Sequence, residues 1–423
     1  MAKKHDKIEV KHVPTKRQLS RHRRQERIQH IIYISGAVFL VALVAFLGWA
    51  YWNVQIKPYR EPAVKVNGTT YDMNYYIDFL NAYTMNQDAA QISSTANGLP
   101  DLIHYNLALI AAAPELGYSV SKDDVNSVLK TAGLPDTQAN RDAVTASLLS
   151  NELQQDYFNK KVPASVVQVE AQALLTESID IANSVEQRLA AGDNFTSLAS
   201  EYSVEQLTRD NGGNLGWLPQ GFTDIILGGI GSSAIKDIPF TLQAGQVSEP
   251  TFDGTISKML GYWVVQVTEK DPTKGSHARG ILTGSRHDAE AIREKMLAGD
   301  DFAGLVKDYS QDPTSSANGG DLGWTGEGGM TNRLVMGLAM PLDVNAVSEP
   351  GADSSVKTIG GFWVVKVVNR DDNKTIDSST RQTLVRGLFD NWIASKMTNG
   401  TVEKLLTDEQ KTWAINEVTK KRG

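Results

Sequence analysis

Residues 31–52 read IIYISGAVFLVALVAFLGWAYW, 22 positions without a formal charge. A helix of that length, rising 1.5 Å per residue, crosses a hydrocarbon core of about 30 Å, so a transmembrane anchor is predicted there. Beyond it the apolar period becomes helical. Over 60–162, Val64 to Gly68 reads as a short strand into a turn, Asp72 caps a helix running to about Met85, and an apolar helix fills 103–116 and closes at Gly117. Ser121 to Asp124 forms a capping box that opens a third helix. Near the other end Leu384, Leu388 and Trp392 make an i, i+4, i+8 stripe, capped by Ser378 or Ser379 and stopped by Asn399-Gly400. Thr407 with Gln410 opens a last amphipathic helix. These C-terminal helices, 378–421, have no partner of their own length nearby, so they are expected to pack on the N-terminal helical domain and close it from both ends of the chain.

Between these helical regions the pattern repeats. AGDNFTSLASEYS at 191–203 matches AGDDFAGLVKDYS at 298–310, and GGNLGW at 212–217 matches GGDLGW at 319–324, both at an offset of 107. VSEP recurs at 247 and 347, and GYWVVQV at 261–267 recurs as GFWVVKV at 361–367, both at an offset of 100. The second copy is therefore seven residues shorter in the intervening loop. Copies of this size are tandem domains, placed at 163–271 and 274–371. Each opens with a short strand (171–176; 278–283), continues through two helices (179–191 and 195–202; 288–298 and 302–309) and a Gly-rich turn, and ends in a strand with alternating Val. That predicts an α+β fold with a sheet on one side and helices on the other.

Charge divides the chain. Residues 1–30 hold ten Lys/Arg against three Asp/Glu, which leaves −14 on residues 31–423 of a net −7. The basic stretch marks residues 1–30 as a cytoplasmic tail and puts the folded domains outside the cytoplasm. A cleaved signal peptide, with a weak small-x-small site at 48–50, is the alternative, and the long basic region before the apolar run favours an uncleaved anchor. The acidic body argues against nucleic-acid binding. The absence of Cys removes disulfides, thiolate metal sites and a Cys nucleophile. No phosphate loop or HExxH motif is present, so neither cofactor nor metal is expected.

The repeated GGxLGW turn, the F-x-x-L-x-x-x-Y-S helix end, the VSEP turn and the G-aromatic-x-V-V-x-V strand resemble the parvulin (rotamase) family of peptidyl-prolyl isomerases. Residues 63–125, with the VNG turn and LGYSVSKDDV, resemble the N-terminal segment of SurA-type chaperones. The order of helical segment, two parvulin units and C-terminal helix is that family's layout, and the tether is similar to that of PrsA and PpiD. The resemblance implies two parvulin-type domains that bind unfolded or proline-containing polypeptides.

It also implies where the chemistry should sit. The family's first-strand histidine falls at Ala173 and Gly280, its closing-strand histidine at Trp263 and Trp363, its acidic or thiol group at Glu205 and Asp312, and a pocket methionine at Phe222 and Met330. Only Asp312 keeps the residue type of a catalytic group, and Asp312-Pro313 also reads as a turn. Trp263 and Trp363 read either as core filling or as the floor of a peptide groove. Trp217 and Trp324 read as core and turn packing, Glu205 as a solvated turn residue, and His277 and His287 as solvent-exposed surface histidines. The expectation is a membrane-tethered extracytoplasmic folding factor whose isomerase activity is weak or lost, with two alternatives: an active isomerase working through the second domain, or a peptide-binding scaffold of an envelope complex.

Overall fold

A computed structural model describes residues 16–85, 87–232, 234–326, 328–398 and 400–420. Residues 1–15 of the expected tail and Asn399 of the expected helix stop lie outside them. The fold is α+β. Among the described residues the strands are β1 (Pro62–Val66), β2 (Thr69–Asp72), β3 (Ser165–Thr176), β4 (Asn214–Pro219), β5 (Thr251–Lys258), β6 (Gly261–Asp271), β7 (Gly275–Thr283), β8 (Asp321–Trp324), β9 (Gly351–Asp353), β10 (Thr358–Thr375) and β11 (Val402–Lys404). The chain forms two compact units. A terminal unit takes Met1–Leu153 with Trp392–Gly423, and a central unit takes Gln154–Asn391.

In the terminal unit, a helix from Lys16 runs through a π-helical turn at Trp52–Ile56 and on to Arg60, beyond the expected end at 52. Its segment Tyr33–Arg60 contains an 18-residue stretch of mean hydropathy 2.1 and is long and apolar enough to cross a membrane. Its large apolar side chains are exposed, Phe39 to 71%. Asn67 and Gly68 both take positive φ (49° and 83°), the geometry of a two-residue hairpin turn, and join β1 to β2. Asp72 then caps the helix Met73–Thr84 through the Tyr75 amide. The next helix runs from Ala89 to Ala112 and not from 103, because Asp88 and Gln91 form a capping box well before Pro100. Pro100 lies inside that helix, where a sequence pattern reads it as a stop.

The C-terminal segment completes this unit. β11 pairs antiparallel with the free edge of β1, Val66 against Val402. The helix Asp408–Lys420, opened by Thr407 and Gln410, buries Ala414 and Val418 in one core with Val64, Tyr76, Phe79 and Leu99. The expected closure over 378–421 is narrower than this, since the helix Ser378–Met397 has Leu384 and Phe389 in the central unit and passes into the terminal unit only at Trp392. Its N-terminal cap is Asp377, which accepts from the amides of Ser379 and Thr380, and neither serine serves.

The central unit departs from a tandem pair. Its two four-stranded sheets have the orders β4-β3-β10-β5 and β8-β7-β6-β9. The closing strand of the second copy, β10, lies between β3 and β5 of the first, with Val365 opposite Ala173 and Phe362 opposite Phe252. The closing strand of the first copy, β6, pairs with β7 and β9 of the second, with Val265 opposite Gly280 and Trp263 opposite Gly351. Boundaries at 163–271 and 274–371 therefore do not enclose the sheets. An inner lobe is built from 261–353, and an outer lobe from 165–258 with 358–375. Because GYWVVQV and GFWVVKV are nearly interchangeable, each strand fits the other's slot, and the short turn from β6 to β7 makes their hairpin local.

Helices cover both faces of each sheet, not one. Consecutive residues Trp363, Val364 and Val365 are fully buried, as a strand covered on both sides requires. In the outer lobe one face packs Val364 against Ala182, Val185, Phe195 and Leu198, and the other packs Trp363 and Val365 against Leu227 and Ile235. The inner lobe repeats this with Val264 against Ile292 and Leu305, and Trp263 against Val335 and Ala339.

A chain ending before Val402 loses the β11 pairing and two fully buried core side chains, of which a valine alone contributes about 1.5–3 kcal/mol. Residues 60–150 should then become protease-sensitive, and mass mapping of limited digests that finds their protection unchanged would show that the C-terminal segment does not complete this unit.

Candidate functional site

The exchange recomposes both sites. The closing-strand position beside Ala173, Glu205 and Phe222 is filled by Trp363, and that beside Gly280, Asp312 and Met330 by Trp263. Each lobe therefore draws its closing strand from the other copy. Ala173 is fully buried and Gly280 is buried, where an added Cβ would stand 2.7 Å from Leu322. Trp363 is fully buried and Trp263 is 3% exposed, so neither floors an open groove. Phe222 and Met330 are half-buried, and Met330 packs on the Trp263 cluster.

The indoles turn inward because each finds a buried acceptor for its single N–H. Trp363 Nε1 donates to Asp253 Oδ2 at 3.2 Å, an oxygen that also accepts from Ser232 Oγ at 2.6 Å. Trp263 Nε1 donates to Asp353 Oδ2 at 3.2 Å, which also accepts from Asn332 Nδ2 at 2.7 Å. The second carboxylate oxygen is held in the same way in both lobes, by the amide and hydroxyl of Thr255 and of Ser355. Burial pushes both carboxyls up, but the hydrogen bonds from hydroxyls, amides and indole outweigh it and hold both below the usual aspartate range. These aspartates were missed in the sequence, although they recur at the offset of 100 that relates the closing strands.

The acidic positions are also engaged. Glu205 is 9% exposed, not solvated, and caps the helix Gln206–Asp210 by accepting from the amides of Leu207 (3.0 Å) and Thr208 (2.7 Å). Asp312 is half-buried and caps the helix Pro313–Ala317 by accepting from the Ser315 amide at 2.7 Å. A cleft of about 160 Å³ opens beside the first cap, lined by Leu207, Thr208, Leu215 and Ile226. In the inner lobe a wider cleft of about 490 Å³ is lined by Asn332, Leu334, Asp353 and Ser355.

The histidines have partners of their own. His277 lies on β7 with Nδ1 3.0 Å from Thr268 Oγ1, Nε2 3.3 Å from Asp321, and its ring edge-on to Trp324 at 4.9 Å. His287 Nδ1 is 2.7 Å from Asp180. Trp217 and Trp324 are half-buried at the lobe surface, each with a lysine over its ring, Lys374 at 4.1 Å and Lys274 at 5.4 Å.

Replacing Asp353 by Ala strands the Trp263 donor in the core and should destabilise the protein by about 1–3 kcal/mol in denaturant unfolding. The pH dependence has a fixed sign. A carboxyl with a depressed folded pKa contributes stability that is present above the ordinary aspartate value of 3.8 and is lost as pH falls through the lower folded value. Stability measured from pH 6 downward should therefore fall less steeply in Asp353→Asn than in the parent; equal slopes would show that the indole bond carries no charge dependence.

A family model for the PPIC-type peptidyl-prolyl isomerase domain matches residues 150–271 and 282–371, together half of the chain. The foldase protein PrsA of Geobacillus sp. (strain WCH70) is 34% identical over 152 residues, covering 36% of this chain and 51% of its own. The chaperone SurA of Chromohalobacter salexigens is 28% identical over 239 residues, covering 51% and 49%. The chain thus spans about half the length of these curated relatives. The crystal structure of the peptidylprolyl isomerase PrsA from Bacillus anthracis covers 83% of this chain and 97% of its own at 12% identity, with a TM-score of 0.26. The repeated motifs, the two four-stranded lobes and the matched residues together make this chain a member of the PPIC-type, or parvulin, peptidyl-prolyl isomerase family.

Proposed function

We propose that the protein is a membrane-tethered folding factor that holds unfolded extracytoplasmic polypeptides and isomerises prolyl bonds weakly or not at all. The observation that carries this reading is the state of the four positions where the family places histidine. Two are Ala173 and Gly280, and two are indoles whose only polar atom is bound to Asp253 or Asp353. Rotation about an X–Pro amide faces a barrier of about 18–20 kcal/mol, and lowering it needs groups that stabilise the twisted amide more than the planar one. A buried, already bonded indole cannot follow that change, and Glu205 and Asp312 are committed as helix caps.

Holding a polypeptide asks only for apolar surface. The terminal unit supplies a groove of about 390 Å³ lined by Tyr83, Leu102, Tyr105, Val128, Leu134 and Val144. The apolar helix Tyr33–Arg60 follows the basic stretch Lys16 to Arg27, which supports a tether with the folded units outside the cytoplasm. A second reading, an isomerase acting through the inner lobe, is favoured by Asp312 at the family's acidic position and by the open cleft beside Asp353.

Exchange NMR on a proline peptide separates the two, because the uncatalysed interconversion takes roughly tens to hundreds of seconds. Residues 53–423 should leave the exchange rate at background while suppressing aggregation of an unfolded client. Acceleration that Asp312→Ala removes would establish the second reading, and the absence of both activities would sink the folding-factor proposal. The full chain should stay in the membrane fraction through alkaline carbonate extraction; release into the supernatant would refute the tether.

A further inference from the structure

The strand exchange raises a question of selection. The two closing strands are nearly identical in sequence, so the apolar pattern of β6 and β10 does not decide which lobe each enters. In a tandem arrangement β5 would pair with β6 and β9 with β10. Residues 254–260 and 354–360 would then close as loops, each within its own copy. In the exchanged arrangement these arms run past each other and pair, Thr358 opposite Lys258 and Ile359 opposite Ser257.

Where the arms cross they grip one another reciprocally. Lys258 and Thr358 occupy the same position of the repeat, as do Leu260 and Gly360. Lys258 Nζ donates to the carbonyl oxygens of Gly360 and of Ile359, the latter at 3.4 Å, and Thr358 Oγ1 donates to the carbonyl oxygen of Leu260. Each copy thus bonds the other's arm at the same place with a different side chain. Gly284 leaves room for the grip, since a Cβ there would stand 3.1 Å from Lys258 Nζ and 3.0 Å from the Ile359 oxygen. The equivalent position of the first copy is Glu177, at the offset of 107.

The clasp is specific to the exchange. Lys258 is 4% exposed and Thr358 2%, and burial lowers the lysine pKa to about 8. A buried ammonium that is bonded only to carbonyl oxygens opposes folding unless those bonds form. In a tandem arrangement the Gly360 carbonyl would belong to another lobe and the lysine would have no such acceptor.

We propose that this reciprocal clasp, Lys258 on the 359–360 carbonyls and Thr358 on that of Leu260, selects the exchanged strand pairing over the tandem one and so composes each candidate groove from both copies. Lys258 and Thr358 are positioning residues in this scheme and touch no substrate.

The chain contains no Cys, so introduced pairs report the pairing without background. Gln172 stands opposite Lys366 in the exchanged sheet, and the repeat offset places Gln266 opposite Gln172 in the tandem one. Directly opposed residues of neighbouring strands lie within reach of a disulfide. Two variants of the full chain, Gln172→Cys with Lys366→Cys and Gln172→Cys with Gln266→Cys, are refolded from denaturant under reduction in detergent and then oxidised. Peptide mapping should find the 172–366 link within single chains and no 172–266 link. Adding Lys258→Met with Thr358→Val weakens the exchanged pairing by about tenfold, the factor that follows from losing a hydrogen bond to a charged group, and should raise the ratio of 172–266 to 172–366 link from nil to a measurable value. Thr358→Val alone, a milder change should the double substitution fail to fold, should move it in the same direction by less. A 172–266 link in the parent, a 172–366 link between chains, or a ratio unchanged in whichever clasp variant folds would each overturn the proposal.

Discussion

The insertion of β10 between β3 and β5 holds the central unit together. Those two strands are neighbours of β10 and not of each other, so without it the outer sheet has no middle and its core, centred on Trp363, Val365 and Val367, has no roof. Phe362 and Thr176 are opposed across 186 positions of sequence. Closing so long a loop costs only slightly more than closing a short one, because the entropic term grows with the logarithm of length. The inner lobe sits within that loop and is folded in its own right, which shortens the effective chain between the two ends. The two lobes are consequently linked by two antiparallel arms, an arrangement related to domain swapping but confined to one molecule.

The same strands carry the two buried indoles. Tryptophan brings a large apolar surface and one donor, and the fold answers with a buried aspartate opposite each indole. The result is a polar bond that fastens two neighbouring strands of each sheet: Trp363 on β10 reaches Asp253 on β5, and Trp263 on β6 reaches Asp353 on β9. Each pair is a cross-strand fastening within its sheet.

Much of this was legible in the residues. The helices at 195–202 and 302–309 and the caps at Asp72 and Ser121 followed from apolar period and capping chemistry, and the family from the repeated turns. The exchange was not legible, because a repeat that makes two strands interchangeable removes the information that would assign them. The buried aspartates were missed: they recur at the offset of the closing strands, but only the folded sheet brings an indole to each. Glu205 was misread for a related reason. A turn glutamate is usually solvated, and its burial depends on Ser203 and Thr208, buried beside it. The helix expected over 103–116 starts at Ala89, with Pro100 inside it, and packs Leu99 and Ile103 into the core.

Set in order along the chain, the segments nest like brackets. Residues 261–353 form the innermost sheet, 358–375 close the lobe begun at Ser165, and 402–420 close the unit begun at Pro62. A ribosome delivers these pieces from the outside in, and completion runs from the inside out. The outer lobe must keep the slot between β3 and β5 vacant while about a hundred further residues are made, and the terminal unit must keep the edge of β1 open for longer still. A protein proposed to guard other chains during their folding thus spends most of its own synthesis with unpaired strand edges, and is itself the kind of client that such a guard receives.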